Sequence, residues 1–285
     1  AVVALGISNQ RETAIVWERA NGQAIHPAIV WQDRRTAGLC AQLREQGLEP
    51  EISAITGLLL DPYFSATKIA WILDAVPGAR ARAERGELAA GTVDSWLTWR
   101  LSGGAIHATD ASNASRTLLF DLTTQRWSPR LCAIFRVPPA ILPEVQDTAS
   151  DFGFIQRELL GAAIPLRALV GDQQAAAFGQ GCLEPGSAKA TYGTGCFTVQ
   201  NTGAQILNSR NRLLSTQAWR LKGVSTFALE GSIFHAGTVV QWLREGLGLL
   251  GSSQDAEKLA RSADSRRRVY LVPAFTGLGA PWWDP

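Results

Sequence analysis

Methionine is absent from the 285 residues. Reading frames start with methionine, yet this chain opens Ala1-Val2-Val3-Ala4-Leu5, like the inside of a strand, and stops at Trp282-Trp283-Asp284-Pro285. The expectation is an internal piece of a longer protein, cut at both ends. Cysteine is scarce: Cys40, Cys132, Cys182 and Cys196 form no C-x-x-C pair, and the histidines are only His26, His107 and His235. That argues against a zinc site and against a disulfide framework, and favours a reducing, cytoplasmic compartment. Neither sign of charge dominates, with 27 Lys and Arg against 25 Asp and Glu. The balance excludes the basic field that a nucleic-acid or anionic-membrane partner needs. Long hydrophobic runs are missing too. Residues 190–209 carry no charge, but Thr, Gly, Asn and Gln interrupt them, so nothing within these 285 residues reads as a membrane span or signal peptide, and an N-terminal targeting segment would have gone with the missing start. Tyrosine is rare, at 3, against 10 tryptophans, which suggests apolar sites as well as core.

What is present is globular: 46% apolar and 18% charged residues, enough for one large or two ordinary domains. Val2 to Ile7 reads as a strand, and Thr13 to Glu18 with Ala24 to Trp31 reads as a hairpin around Asn21-Gly22. Helices are expected over Arg34–Gln46, Ser65–Ala75 and Asp94–Leu101. Arg116 to Pro165, punctuated by prolines, is expected to be irregular. Leu166 to Val170 reads as a buried strand running into a helix that ends at Gln180. Gly179, Gly181 and Pro185-Gly186 mark a boundary, which gives domains 1–182 and 183–285. Strands follow at Ala188–Tyr192, Cys196–Asn201, Leu214–Trp219 and Val224–Leu229. Then come helices at Gly237–Leu247 and Ser253–Ala263, with Ser253 as N-cap, and a strand at Val269–Val272. Mixed strands and helices in both halves predict α/β layers.

Chemistry concentrates in separate segments. Ser8-Asn9-Gln10-Arg11-Glu12-Thr13 ends a strand with polar groups that are costly to bury unpartnered. Arg11 can donate to, and Glu12 accept from, the hydroxyls of a small polyol. The same residues also fit a solvated loop with a surface ion pair. Tyr192-Gly193-Thr194-Gly195-Cys196 is a tight hairpin whose N–H groups can approach an anion, or an ordinary turn. It is no Walker A loop, because the Gly-Lys-Ser/Thr ending is missing. Asp172, between a buried strand and a helix, sits where α/β proteins place ligands; it suits a general base, a Mg²⁺ contact or a simple N-cap. Glu230-Gly231-Ser232 and Ala236 to Trp242 suit a nucleotide, with Gly237 allowing close approach and Gln241 one turn on, or plain helix packing with Gln241 exposed. Trp31 fits the core or an apolar wall. Together they spell a nucleotide-dependent phosphotransferase with a small hydroxylated acceptor.

These segments resemble the FGGY carbohydrate kinase family. The resemblance rests on Ser8–Thr13, Ala28–Thr36, Asp61–Lys68, Gly171-Asp172-Gln173-Gln174-Ala175, Thr191–Phe197, Gly237–Trp242 and Gly277-Leu278-Gly279-Ala280-Pro281. Tyr63 to Asp74, with Lys68, Trp71 and Asp74, looks like a family signature. Asn9 to Thr13 favours the glycerol branch over the pentulose kinases. The resemblance implies an actin/hexokinase-like (ribonuclease H-like) α/β pair of domains, truncated at both ends, with the site in the cleft between them. It further implies phosphorylation of glycerol by ATP to sn-glycerol 3-phosphate. Arg11, Glu12, Tyr63, Asp172 and Gln173 would bind glycerol, with Trp31 and Phe197 as apolar walls beside its carbons. Asp172 would be the general base and a contact of magnesium carried with ATP. Thr194 and Gly195 would meet the terminal phosphates, and Gly237 and Gln241 the nucleotide. A homo-oligomer is also implied. The family's N-terminal Asp-Gln-Gly-Thr-Thr hairpin and its C-terminal adenosine-binding part lie outside the chain. The 285-residue piece is therefore expected to fold poorly, with Val2–Ile7 leaving unpaired the edge that a strand of the absent N-terminal part would cover, and to turn over little ATP. Another polyol or ketose, or a polyol-binding remnant without catalysis, are the alternative readings; an actin-like ATPase fits the polyol-type polar set less well.

Overall fold

Leu5–Asn9 and Leu166–Gly171 lie side by side and parallel in the computed structural model, which describes residues 2–264 and 266–285. Ser8 pairs with Val170 and Asn9 with Gly171, so both strands end at the same level. The first strand starts later than its apolar run predicts. Val2 and Val3 are exposed, because hydrophobicity alone gives them no partner. The registered ends matter for function, since Arg11 and Asp172 leave the sheet next to each other, at the carboxyl ends of parallel strands.

A second sheet has four antiparallel strands in the order Leu214–Leu221, Val224–Ile233, Cys196–Gly203, Ala188–Tyr192. All four were expected, three of them shorter. The expected hairpin at Asn21-Gly22 is only partly realised. Ile15–Glu18 pairs with Leu88–Gly91, and Ala24 to Trp31 touches it only through the bridges Trp17–Ala24 and Ala14–Ile29.

Helices form at Ala37–Glu45, Ser65–Ala75, Val93–Leu101, Asp172–Gly179 and Gly237–Glu245, close to expectation. Glu49–Thr56 and Ala79–Glu84 are helices that the sequence reading missed. The first has Pro50 in its opening turn, where proline lacks no needed donor. The stretch from Arg116 to Pro165 holds short elements, among them the helix Pro129–Phe135, capped by the Ser128 hydroxyl accepting from Leu131 N–H. Two expectations fail near the end of the chain. Val269 to Val272 forms no strand among the described residues and is exposed, so its apolar side chains are left without packing partners that would favour one. Ser253 is not the cap of the Asp255–Ser262 helix; the Asp255 carboxylate instead accepts from Ser252 N–H and hydroxyl.

The main core gathers Leu58, Phe64, Ile69, Ile72, Leu119 and Phe135. The four cysteines are buried free thiols. Among the described residues no helix is long and apolar enough to cross a membrane.

Beside this core, His107 stands edge-on to Trp17 and Trp99, with a ring nitrogen 3.0 Å from the Ala90 carbonyl oxygen. Burial pushes its pKa from the ordinary 6.5 down to about 4. The folded protein thus holds His107 neutral while the unfolded chain protonates it. Stability should be fully present above pH 6.5 and fall as pH drops toward 4, by about 3 kcal/mol at about 1.4 kcal/mol per pH unit. Urea unfolding at pH 7 and pH 4.5 checks this: His107→Gln should flatten the difference, and an unchanged slope would remove His107 as its source.

Candidate functional site

Arg11 is a long cation with almost no exposure, so its charge must be met inside the protein. It forms a two-pronged pair with the fully buried Glu230. Gly171 makes room for it, because a Cβ there would lie 2.7 Å from Arg11 Cδ. Glu12 follows with φ +61°, a left-handed turn that sends its carboxylate inward to accept from Arg116 Nε at 2.7 Å. Arg116 also reaches Glu230, at 3.0 Å, and lies against the rings of Tyr63 and Phe64. Arg11, Glu230, Arg116 and Glu12 therefore close a buried circuit of alternating charge.

The environment sorts these acids. Burial raises the Glu12 pKa above the usual carboxylate range, with Arg11 and Arg116 pulling it back. Burial works upward on Glu230 too, but Arg11 and Arg116 outweigh it and hold its pKa at about 2. Burial drives the Tyr63 phenol well above its ordinary value, so it stays protonated. Lys68, fully buried, is pushed down to about 7 by burial; its Nζ donates to the carbonyls of Tyr63 and, at 3.2 Å, Phe64, and lies 3.4 Å from that of Glu12. It ties together the backbones that carry Glu12 and Tyr63.

Asp172 opens its helix with a side chain that is 42% exposed. One carboxylate oxygen lies 3.6 Å from Arg11 Nε and accepts from Gln173 N–H at 2.8 Å. The other accepts from the Gln173 side-chain amide at 3.1 Å. Buried Lys189 donates to the oxygen of that same amide, which fixes which way Gln173 faces. Asp172 thus has ordered neighbours and an open side.

A cleft of about 290 Å³ unites these groups. Arg11, Glu12, Tyr63, Asp172 and Gln173 line it, with Trp31 and Phe197 as apolar walls whose ring centres are 5.9 Å apart. Thr194 and Gly195 of the hairpin line it as well. The two remaining expected residues stand elsewhere. Gly237 packs on the hairpin, its N–H donating to the Gly193 carbonyl at 2.8 Å. Gln241 is exposed and donates to Glu245 on its own helix at 2.8 Å, so it lies outside the cleft lining. The sequence reading missed Arg116 and Lys189 and took Glu230 as part of a nucleotide segment. Their signal was there: each is a lone charge within an apolar or small-residue run, as in Phe227-Ala228-Leu229-Glu230.

The sequence profile of the N-terminal domain of the FGGY family of carbohydrate kinases matches residues 1–179, and that of its C-terminal domain matches 188–285. The chain belongs to the FGGY family of carbohydrate kinases. A glycerol kinase of Methylobacterium nodulans is 62% identical over 284 residues, 100% of this chain and 57% of that protein. The chain thus spans little more than half the length of the curated relatives it matches. Among solved structures, Plasmodium falciparum glycerol kinase with ADP superposes with a TM-score of 0.84 at 35% identity, over 92% of this chain and 53% of that one. Xylulose kinase from Lactobacillus acidophilus reaches the same TM-score, 0.84, at 20% identity, over 99% and 56%. The α/β fold expected from the sequence is the fold of this FGGY family.

Proposed function

We propose that the protein carrying this chain transfers the terminal phosphoryl group of ATP to glycerol, giving sn-glycerol 3-phosphate and ADP. The reading is carried by a cleft that combines hydroxyl-binding charges, apolar walls and a glycine hairpin. Similarity to glycerol kinases along the whole chain supports the substrate. Arg11, Glu12, Tyr63 and Gln173 orient the triol, and Trp31 and Phe197 cover its carbons. Asp172 takes the proton of one terminal hydroxyl as that oxygen bonds to the γ-phosphorus and the bond to ADP breaks. Positioning and electrostatics supply most of the rate in such transfers. Thr194 and Gly195 face the phosphates, Gly237 backs the hairpin, and Gln241 meets the nucleotide from its exposed helix face.

Among the described residues no group of three or more His, Cys, Asp and Glu could hold a metal ion unaided. The half-exposed Asp172 fits magnesium that arrives with phosphate and water ligands. Bound there, the ion would neutralise phosphate charge. The domain division proposed at 182/183 falls between the two matched segments. A cytoplasmic, homo-oligomeric enzyme completes the proposal, supported by the free thiols for the compartment and by the family for the assembly. Little turnover is expected from the 285-residue chain by itself; robust ADP release from it would overturn that.

ADP release coupled to glycerol, with xylulose and erythritol as comparisons, tests the function. Preference for either alternative, or release independent of any polyol, would overturn it. The hairpin's share can be isolated. A Cβ on residue 237 would lie 2.6 Å from the Gly193 carbonyl oxygen, so Gly237→Ala must displace the hairpin. The KM for ATP should rise about tenfold, worth ~1.4 kcal/mol, with the KM for glycerol within about twofold of wild type. Equal rises in both would assign Gly237 to the fold as a whole.

A further inference from the structure

Arginine offers five N–H donors in a rigid plane, and four of those on Arg11 are taken. Nη1 donates to Glu230 Oε2 at 2.5 Å and to Gln174 Oε1 at 3.2 Å. Nη2 donates to Glu230 Oε1 at 2.8 Å and to the Tyr63 hydroxyl at 3.2 Å. Only Nε–H lacks an acceptor among the described residues, and it stands 3.6 Å from both Glu12 and Asp172. Three carboxylates therefore compete for one guanidinium. Glu230 takes its two-pronged edge, and the other two are left at a distance.

Glu230 reaches this point from the opposite half of the site. It sits on Val224–Ile233, next to the Cys196–Gly203 strand that carries Phe197, whereas Arg11 follows the strand beside Asp172. Its own position is fixed by the Ser232 hydroxyl at 2.8 Å and by Arg116 at 3.0 Å. None of the polyol contacts proposed above includes it.

Resting on the proposed glycerol reading, we propose that Glu230 is the positioning residue of the polyol site: it holds Arg11 by both Nη groups, so that the guanidinium presents a single free donor, Nε–H, to a substrate hydroxyl and does not collapse onto Asp172. A carboxylate is needed because only two equivalent acceptor oxygens match the guanidinium fork. With Gln in its place, an amide N–H would face an arginine N–H, and Arg11 would turn toward Glu12 and Asp172.

The test is a double-mutant cycle in the protein carrying this chain, read as KM for glycerol. Glu230→Gln should raise that KM about tenfold or more while the KM for ATP stays within about twofold. Lys cannot form the two-pronged pair, so in an Arg11→Lys background the same change should add less than about twofold. A wild-type KM in Glu230→Gln, or effects that simply multiply, would overturn the proposal. Should Glu230→Gln not fold, Ser232→Ala decides, with an expected rise of about threefold against no rise at all. A wild-type protein that refuses glycerol sinks the substrate reading separately, and the cycle is then read with the polyol it accepts; refusal of every polyol overturns both.

Discussion

In the protein carrying this chain, if it has the proposed glycerol kinase activity, Asp172→Asn is expected to lower turnover about 10²–10⁴-fold while glycerol still binds. The substitution keeps the shape of the side chain and an oxygen that can accept from Gln173 N–H. It removes the ability to take up a proton. The open side of Asp172 is what gives a hydroxyl access to it, and its ordered neighbours keep it aimed into the cleft. ADP release at saturating substrates gives kcat, and calorimetry gives glycerol affinity without any reaction. Unchanged turnover would remove Asp172 from the base role. Loss of binding with turnover per bound substrate intact would make it a binding residue only.

The largest stability effect should come from Arg116→Met. The guanidinium is completely buried, bonded to Glu12 at 2.7 Å and Glu230 at 3.0 Å, and set against two aromatic rings. Methionine can fill much of the stem's volume, but it leaves two buried carboxylates sharing Arg11. Breaking one partner out of a buried ion pair typically costs about 3–5 kcal/mol. Urea unfolding at pH 7 should show a loss of that order. The loss should shrink as the pH is lowered, because protonating Glu12, whose pKa burial already raises, relieves the excess negative charge. A midpoint like wild type, or a loss independent of pH, would show that the circuit does not store this energy.

Much of the site was legible because its residues sit at element ends. Arg11, Asp172 and Thr194 each stand just past the end of a strand, and strand ends are where α/β proteins place ligands. The four-stranded sheet was legible for the same reason: its alternation and glycine punctuation are local. What was not legible is long-range. Val269–Val272 has strand composition but pairs with no strand among the described residues and stays exposed. The helices Glu49–Thr56 and Ala79–Glu84 are short, and tertiary packing rather than periodicity supports them. Glu230 and Arg116 look like isolated charges until the fold sets them 3.0 Å apart. Gln241 lay on an expected helix, but spacing along the helix cannot say which way the helix faces, and the side chain turns to Glu245.

The parallel pairing of Asn9 with Gly171 bears on how the chain acquires its site over time. About 160 residues must be looped out before these two strands can meet, an entropic toll of about 4–5 kcal/mol that no local contact offsets. During synthesis, Arg11 leaves the ribosome long before its strand partner exists. The proposed site at Asp172 is then a late product of folding, and the rate at which a newly made chain gains affinity for the proposed polyol should follow the slow, non-local pairing step, not the early local helices.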